Sequence, residues 1–260
     1  MMENYLLQGN VIKLLPLEFP KDEHITESTW RAVNHTTAIL KSGVTSGCSY
    51  DEFLVNIENS IKNENLSILE HRLSPYVDGV MFANENVSSH KDFMAFNSFR
   101  YTLPDILKDD ECFLKFIECA GKKFNAKNRL REVNVRTVPE TDGGYTEFLD
   151  VKLMAPELSE LRTFIAGNYQ INNLLCAIIT SVFLMHTHPL YDGNGRASRV
   201  LFNFILGRDR RNYIALTELC HVARSGYVLS LREAFLFSEW NPIIVFYCKC
   251  IEIIHSGNTK

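Results

Sequence analysis

The chain has 260 residues, of which 46% are hydrophobic and 22% charged, and it carries a formal net charge of -4. This composition lies in the ordinary range of soluble globular proteins, and the length is enough to bury a core. The acidic balance gives no overall attraction to nucleic acid or to an anionic membrane, so we expect neither as a partner. Any anion site must therefore be local.

The chain start and the cysteines indicate where the protein works. Met1–Tyr5 lacks the basic and apolar regions of a signal peptide. The most apolar stretch, Leu174–Met185, is too short to cross a bilayer and predicts a buried helix. Seven cysteines without metal-type spacing are typical of reduced thiols packed as small hydrophobic residues. We expect a cytoplasmic protein.

In chain order, the first twenty residues contain Pro16 and Pro20 and are expected to be extended. Helical periodicity then begins at Thr26, with Thr26 or Ser28 as the candidate cap, and stops at Gly43. The further segments with helical patterns are Ser49–Ile61, Ser89–Tyr101, Pro104–Leu107, Glu111–Lys122, Pro156–Ile165, Ile171–His186, the stretch after Gly195, Tyr213–Ser225, and Val228–Ile254 with a break near Pro242.

One segment between these helices has a different pattern. Val133, Val135 and Thr137 alternate with polar residues, and Asp142-Gly143-Gly144 supplies a turn before Tyr145. This is the pattern of a β-hairpin, and it is the only convincing one in the chain. The sequence thus predicts a mostly α fold with one small hairpin.

The segment with the densest chemistry is His188–Arg199, which reads His-Pro-Leu-Tyr-Asp-Gly-Asn-Gly-Arg-Ala-Ser-Arg. Gly193 and Gly195 allow a positive φ and a close backbone approach, and Asn194 also tolerates the left-handed region. Because the turn leads into a helix, the first backbone N–H groups and the helix dipole point into the loop. The pattern predicts a cradle for phosphate.

Four side chains beside this cradle have the chemistry that phosphoryl transfer needs. Arg196 and Arg199, three apart on the new helix, can reach phosphate oxygens from one side. Asp192 can hold a Mg²⁺ that bridges two phosphates. His188 can take a proton from an attacking hydroxyl at neutral pH. Each residue alone has an ordinary structural explanation, and it is their combination after an apolar helix that indicates a catalytic site.

At this spacing the segment resembles the signature of the Fic family: His-Pro-Phe, two residues, Gly-Asn-Gly-Arg, two residues, Arg. Leu190 stands where the family usually has Phe, and we expect it to face the core and preserve the packing. Asp192 takes the place where AMP-transferring members carry Asp or Glu. Kinase-type relatives of the Doc group have Lys at the position of Gly193, so the small residue argues against that activity.

The resemblance implies a Fic-type helical bundle with one small β-hairpin flap. The Fic core would span residues 104–260, after an N-terminal helical region over residues 1–103. In relatives the flap precedes the motif and aligns the target peptide by strand addition, a recognised mode of peptide docking. Here the flap would be residues 132–152 and the motif residues 188–199.

The resemblance also implies a role for each motif residue. His188 would deprotonate a hydroxyl of the target protein, and Asp192 would coordinate Mg²⁺. Arg196 would brace the β-phosphate of ATP and Arg199 would engage the γ-phosphate. The residues whose backbone, together with the Asn194 side chain, would hold the α- and β-phosphates are Gly193, Asn194 and Gly195.

Many family members carry an inhibitory helix with the pattern Ser or Thr, three residues, Glu, then Gly or Asn. The segment that begins at Ser60 and ends at Asn65 fits this pattern and precedes the motif. Glu64 beside Arg199 would form a bidentate pair and fill the space of the γ-phosphate, so ATP would bind only unproductively. The alternative is a helix end with a solvated Glu64.

The sequence thus predicts a protein adenylyltransferase that moves AMP from ATP to a Ser, Thr or Tyr hydroxyl of a target protein. It would use Mg²⁺, with His188 as the base and Glu64 as the inhibitor. Two alternatives stay open: a Fic-fold transferase with another donor (UMP, GMP or phosphocholine), and a catalytically silent nucleotide-binding interaction module. The intact His188 and Asp192 argue against the silent module. Self-modification and a homodimer also stay open.

Overall fold

A computed structural model describes residues 4–42, 90–139 and 143–256 of the chain. In these ranges the fold has ten α-helices and one small three-stranded sheet. The predicted class, mostly α with a small β-hairpin flap, is confirmed. No helix within the three ranges combines the length and apolar character that a membrane crossing needs. The candidate inhibitory residues Ser60 and Glu64 lie outside the described residues.

The bounds of these elements follow the predicted periodicity for most of the chain. The strands are β1 Tyr5–Gln8, β2 Val11–Leu14 and β3 Tyr145–Glu147. The helices are α1 Glu27–Lys41, α2 His90–Ser98, α3 Leu103–Leu107, α4 Asp110–Phe124, α5 Val151–Asn168, α6 Asn173–Thr187, α7 Asn194–Ile205, α8 Thr217–Val222, α9 Arg224–Phe237 and α10 Asn241–Ser256. The break predicted near Pro242 falls between α9 and α10.

The most apolar helix, α6, is the centre of the core. Its residues from Leu174 to Leu184 are all buried, as the length of the apolar run predicted. Helices α1, α5, α7, α9 and α10 all contact it. The apolar face of α7 packs against α6 and leaves Val200 and Leu201 without exposure. Because α6 and α7 are packed together, the short loop that joins them is held at a fixed place on the surface.

One predicted helix begins later than its pattern indicates. The sequence predicts a helix over Tyr213–Ser225, but α8 starts only at Thr217. The reason is the buried side chain of Asn203 on α7, which bonds both backbone groups of Ile214. It accepts from the Ile214 N–H at 2.8 Å and donates to the Ile214 carbonyl at 3.1 Å. The residues before α8 therefore run through the core without helical hydrogen bonds.

The sheet contains a hairpin that the sequence did not reveal. Strands β1 and β2 are antiparallel and turn at Gly9, which has φ 59°. The expectation that the chain has only one hairpin was therefore wrong, and the signal available was the Gly9-Asn10 pair between two apolar runs. Strand β2 then pairs in parallel with β3. Asn4, just before β1, anchors the hairpin to the end of α9 by donating its backbone N–H to the Leu236 carbonyl at 3.0 Å.

The predicted flap is present, with a short regular part. The Thr137 N–H donates to the Thr146 carbonyl at 2.9 Å, and the Phe148 N–H donates to the Val135 carbonyl at 3.0 Å. Residues 151 and 152, which the sequence placed at the end of the flap, form the first turn of α5. The reason is Asp150, whose carboxylate caps that helix by accepting from the backbone N–H of residue 152 at 2.9 Å.

Candidate functional site

The predicted motif forms the loop between α6 and α7. His188 ends α6 in the left-handed conformation, with φ 49° and ψ 55°, and Gly193 precedes α7 with φ 78°. Leu190 between them is fully buried, as expected for a residue that faces the core. Left-handed positions thus stand at both ends of this six-residue loop, and the loop joins two helices that pack together, so the histidine and the N-terminus of α7 lie at the same end of the helix pair.

The side chain of Asn194 bonds the loop backbone, whereas the resemblance implies that it holds phosphate. It is 4% exposed, and both of its amide atoms bond the backbone of Leu190. Its Oδ1 accepts from the Leu190 N–H at 2.8 Å, and its Nδ2 donates to the Leu190 carbonyl at 2.8 Å. The side chain therefore holds the loop closed, and only the backbone N–H of Asn194 remains for a phosphate.

His188 lies under the flap with one ring nitrogen engaged. Its ring stacks on Phe148, with centroids 3.9 Å apart and an interplanar angle of 18°. Nδ1 lies 3.4 Å from the Met185 carbonyl. Assigning the proton to Nδ1, as this contact favours, leaves Nε2 with its lone pair.

The surroundings of His188 keep it neutral. Burial, with a smaller contribution from the positive charge of Arg131, lowers the pKa of His188 to about 4, although the Met185 carbonyl and Asp192 act in the opposite direction. At neutral pH the imidazole is therefore unprotonated, which is the form that can accept a proton from a hydroxyl.

Arg131 connects the flap to the histidine loop, and sequence reasoning missed it. Only 1% of this residue is exposed. Its Nε donates to the His188 carbonyl at 2.9 Å, and its Nη2 donates to the Thr187 carbonyl at 3.1 Å. The same guanidinium donates to the carbonyls of Val133, at 3.0 Å, and Leu149 on the two arms of the flap. One buried side chain thus fixes the flap and the histidine backbone together.

Asn128 holds the other end of the loop and was also missed. Its Nδ2 donates to the Asp192 carbonyl at 2.5 Å, and its Oδ1 lies 3.4 Å from the Asp192 backbone nitrogen. Gly121 on α4 makes room for this contact, because a Cβ there would come within 2.8 Å of Asn128 Nδ2 and 2.9 Å of Leu190 Cδ1. The close packing of α4 against the loop therefore depends on a residue without a side chain.

The N-terminus of α7 fits an anion. Gly193 at its cap position provides no side-chain cap. Within the part of the chain that the structure describes, the first-turn N–H groups therefore have neither an intrahelical partner nor a capping side chain, which is the arrangement that binds phosphate at helix N-termini.

Asp192 stands beside this helix N-terminus with an exposed carboxylate. Its Oδ1 accepts from the Gly193 N–H at 2.6 Å, and its Oδ2 lies 3.4 Å from Arg196 Nη2. The side chain is 64% exposed. One carboxylate next to a phosphate cradle fits Mg²⁺, which takes few protein ligands and completes its shell with phosphate oxygens and water. In the described ranges, no group of three or more acidic, histidine or cysteine side chains could hold a metal without such oxygens.

The two arginines of the motif are both near the cradle, in different environments. The guanidinium of Arg196 lies over the Phe124 ring, 4.8 Å from its centroid. Arg199 is deeper, and its Nε donates to Asp92 Oδ2 at 2.8 Å. Burial by itself lowers the pKa of Arg199, but the charge and hydrogen bond of Asp92, together with Cys220 and Tyr227, more than offset it, so the pKa is raised above the ordinary value of arginine. Both arginines line one pocket of about 350 Å³, which Lys91 and Arg224 also line.

Two comparisons with known proteins give no match. No model of a protein family matches the sequence, and no curated protein is similar to it. The resemblance in sequence is therefore carried by the motif.

Solved structures are similar to this chain. A Fic family protein from Desulfovibrio desulfuricans G20 has a TM-score of 0.56 at 14% identity, over 90% of this chain and 74% of that chain. A Fic domain containing signaling protein from Bacteroides thetaiotaomicron VPI-5482 has a TM-score of 0.49 at 16% identity, over 86% of this chain and 94% of that one. Residues 134–508 of Fic-1 from C. elegans have a TM-score of 0.45 at 17% identity, over 92% of this chain and 66% of that one. The first of these similarities shows the fold.

Proposed function

Since this chain has the Fic fold, we propose that it is a protein adenylyltransferase, which moves AMP from ATP to a hydroxyl side chain of a target protein. The observation that carries the proposal is the α6–α7 loop. It brings a neutral histidine, whose Nε2 bonds none of the described residues, next to two arginines and a helix N-terminus that no described side chain caps. A base for a hydroxyl and a cradle for phosphates are what the reaction requires.

The reaction follows from these positions. The hydroxyl oxygen of the target attacks the α-phosphorus of ATP, and the bond from that phosphorus to the oxygen bridging to the β-phosphate breaks. AMP is thereby joined to the target, and pyrophosphate leaves. The hydroxyl proton goes to Nε2 of His188. The first-turn N–H groups of α7 and the guanidinium of Arg196 stabilise the negative charge that builds up on the phosphates.

Asp192 would hold Mg²⁺, which neutralises phosphate charge and helps to orient the leaving group. Its exposed Oδ2 supports this role. The weak contact of Oδ2 with Arg196 also places the guanidinium beside the same phosphates. The chain's own contribution is to keep this carboxylate at the cradle, and Asn128 does so through the Asp192 backbone.

The target segment would dock on the flap by strand addition. One side of the flap, at β3, is already paired with β2. On the other arm, Arg136 lies opposite Glu147 in a bridge whose hydrogen bonds are made by neighbouring residues. The backbone groups of Arg136 are thus directed away from β3, towards an incoming strand. The flanking Val133 and Val138 are 55% and 85% exposed and can contact its side chains.

The donor is tested with labelled nucleotides. The purified chain is incubated with Mg²⁺, a protein extract as the source of targets, and ATP labelled at either the α- or the γ-phosphate. We expect label on protein from α-labelled ATP and none from γ-labelled ATP. Label from the γ-position would contradict the proposal, because it indicates phosphorylation.

The same experiment includes α-labelled UTP and GTP and choline-labelled CDP-choline. Preferential labelling from one of these would replace ATP by that donor and keep the transferase. Nucleotide binding without any labelled protein would favour the silent module. Label on the chain itself would indicate self-modification, and its dependence on protein concentration would show whether one copy modifies another.

A further inference from the structure

Phe148 on the flap lies flat against the base of the proposed reaction. Its ring and the imidazole of His188 have centroids 3.9 Å apart and planes that differ by 18°, so the two rings are stacked face to face. This contact covers one face of the imidazole and leaves the ring edges uncovered by Phe148. The lone pair of Nε2 lies in the ring plane, at one of those edges. The phenyl ring therefore does not occupy the direction from which a hydroxyl approaches Nε2.

Two contacts together determine where Nε2 of His188 is directed. Nδ1 faces the Met185 carbonyl of α6 at 3.4 Å. Because the two nitrogens stand at opposite edges of the imidazole, Nε2 is directed away from that carbonyl. A contact of this length is a weak hydrogen bond, and by itself it leaves the ring able to tilt. The stacked ring of Phe148 prevents the tilt, since an imidazole that turned out of its plane would collide with it.

The phenyl ring is a fixed surface because the backbone on both sides of it is held. The Phe148 N–H donates to the Val135 carbonyl at 3.0 Å, across the flap. The next residue, Leu149, has no exposed surface, and its carbonyl accepts from Arg131. The same guanidinium donates to the His188 carbonyl at 2.9 Å. One side chain thus joins the backbones that carry the two stacked rings, which keeps the rings in register.

We propose that Phe148 is a positioning residue that holds the imidazole of His188 with Nε2 directed to the hydroxyl of the target protein. The inference rests on the proposed function for the reaction that this base serves. Two other roles make different predictions. A residue that only fills space under the flap needs no flat side chain, and a residue that contacts the target leaves the histidine of the free protein unchanged. The state of the imidazole in the free protein separates the three roles.

That state is measured by nitrogen NMR on the full chain with isotope-labelled histidine, because a protonated and an unprotonated ring nitrogen have different chemical shifts. Spectra of wild type, Phe148→Leu and Phe148→Tyr are recorded between about pH 4 and pH 8, and His188→Ala identifies the signal. The initial rate of label transfer from α-labelled ATP and the ATP affinity are measured on the same proteins. Phe237→Leu is the matched control, since Phe237 on α9 also contacts one ring, that of Tyr5 at 6.1 Å.

We expect wild type at neutral pH to show a protonated Nδ1 and an unprotonated Nε2. In Phe148→Leu the ring tilts and meets water, so its nitrogen shifts should average between the two tautomers. Burial is the main cause of the low pKa of His188, so this exposure should raise the pKa from about 4 towards 6.5. Arg131 and Asp192, the charged groups that act on this pKa, are the same in all variants.

The rate should follow the spectra. Transfer by Phe148→Leu should fall by about 10-fold or more with ATP affinity unchanged, since a misplacement of about 1 Å costs on the order of 10²-fold. Phe148→Tyr keeps a flat ring and should retain the spectrum and the rate of wild type, as should the Phe237→Leu control. If Phe148→Leu fails to fold, Phe148→Met takes its place, because its flexible side chain fills the space without a flat face.

Identical histidine spectra for Phe148→Leu and wild type would overturn the inference. With a slower rate they would show that the ring contacts the target, and with an unchanged rate they would show that it only fills space. Both results leave the proposed function standing. A wild-type protein that transfers no label contradicts the proposed function instead, and the spectra still decide whether Phe148 fixes the ring.

Discussion

At the scale of single residues, the backbone of His188 has an unusual conformation. A left-handed conformation costs a residue with a side chain about 1–2 kcal/mol, and His188 adopts it at the end of α6. The surrounding contacts offset this cost. The His188 N–H still bonds the Leu184 carbonyl at 3.0 Å, and its carbonyl is held by Arg131. The histidine is therefore set at a sharp turn with its ring directed under the flap.

Replacing Arg131 by Met should destabilise the fold strongly. The substitution leaves four carbonyls in or near the core without their donor, and each unsatisfied buried group costs about 1–3 kcal/mol. We expect the free energy of unfolding to fall by at least about 3 kcal/mol, measured by urea denaturation. Arg129→Met is the matched control: its side chain is 58% exposed with one long ion pair, so we expect a change below about 1 kcal/mol. Similar effects of the two substitutions would show that Arg131 does not tie the flap to the loop.

The sequence indicates some of these residues and not others. His188, Asp192 and the two glycines of the loop are adjacent in sequence, so their spacing shows that they belong together. Asp92 and Arg131 reach the loop from 107 and 57 residues away. No periodicity relates such pairs, because tertiary packing alone brings them together. The one available signal for Asp92 was a carboxylate beside the buried Phe93.

At the scale of elements, two segments act on the motif from outside it. The flap covers His188 through Phe148, and α2 contacts α7 beside Arg199. Sequence periodicity predicted α2 and located the flap, but it did not show that the flap continues into the sheet of β1 and β2. Strands of four residues are too short for a reliable alternation, and parallel pairing with a distant strand leaves no local pattern.

The candidate inhibitory segment stays a prediction, and Glu64→Gly tests it. Arg199 lines the pocket beside the cradle and bonds Asp92 through Nε, so a carboxylate from this segment could pair with the rest of its guanidinium in place of the γ-phosphate. Removing it should raise the rate of transfer by up to about 10²-fold, because a donor bound out of line loses on the order of that factor. The rate is measured as label transfer at saturating ATP and Mg²⁺.

Two further variants make this test specific. Arg199→Ala should cancel the gain, since both changes act on one contact. Glu58→Gly is the control, because Glu58 lies just before Ser60 and outside the pattern. Equal initial rates for wild type and Glu64→Gly would reject the inhibitory role and leave the transferase standing.

At the scale of the whole molecule, a buried carboxyl makes stability depend on pH. Glu157 on α5 is 9% exposed. Burial raises its pKa to about 7 from 4.5, with the charge of Glu160 acting in the same direction and the Leu17 N–H against it. Because the native state holds the proton more tightly, this group stabilises the fold fully below pH 4.5. That contribution is lost as the pH rises through 7.

Glu157→Gln should remove this dependence. The amide stays neutral at every pH. The unfolding free energy of the variant relative to wild type should therefore be about 3 kcal/mol higher at pH 8 than at about pH 4.5. Urea denaturation at both pH values measures the gain. Glu111→Gln, at an exposed position, should show none. A difference between variant and wild type that is the same at both pH values would mean that Glu157 ionises in the fold as it does in water.

The central claim is that the α6–α7 loop transfers a nucleotide with His188 as the base, and His188→Ala tests it most directly. The measurement is the initial rate of label transfer from α-labelled ATP to protein, alongside ATP affinity, with His24→Ala as a control on an exposed histidine far from the motif in sequence. We predict a rate loss of about 10²–10⁴-fold with ATP binding retained, since a general base contributes to the chemical step and not to holding the phosphates. Transfer by His188→Ala at the rate of wild type would contradict the account.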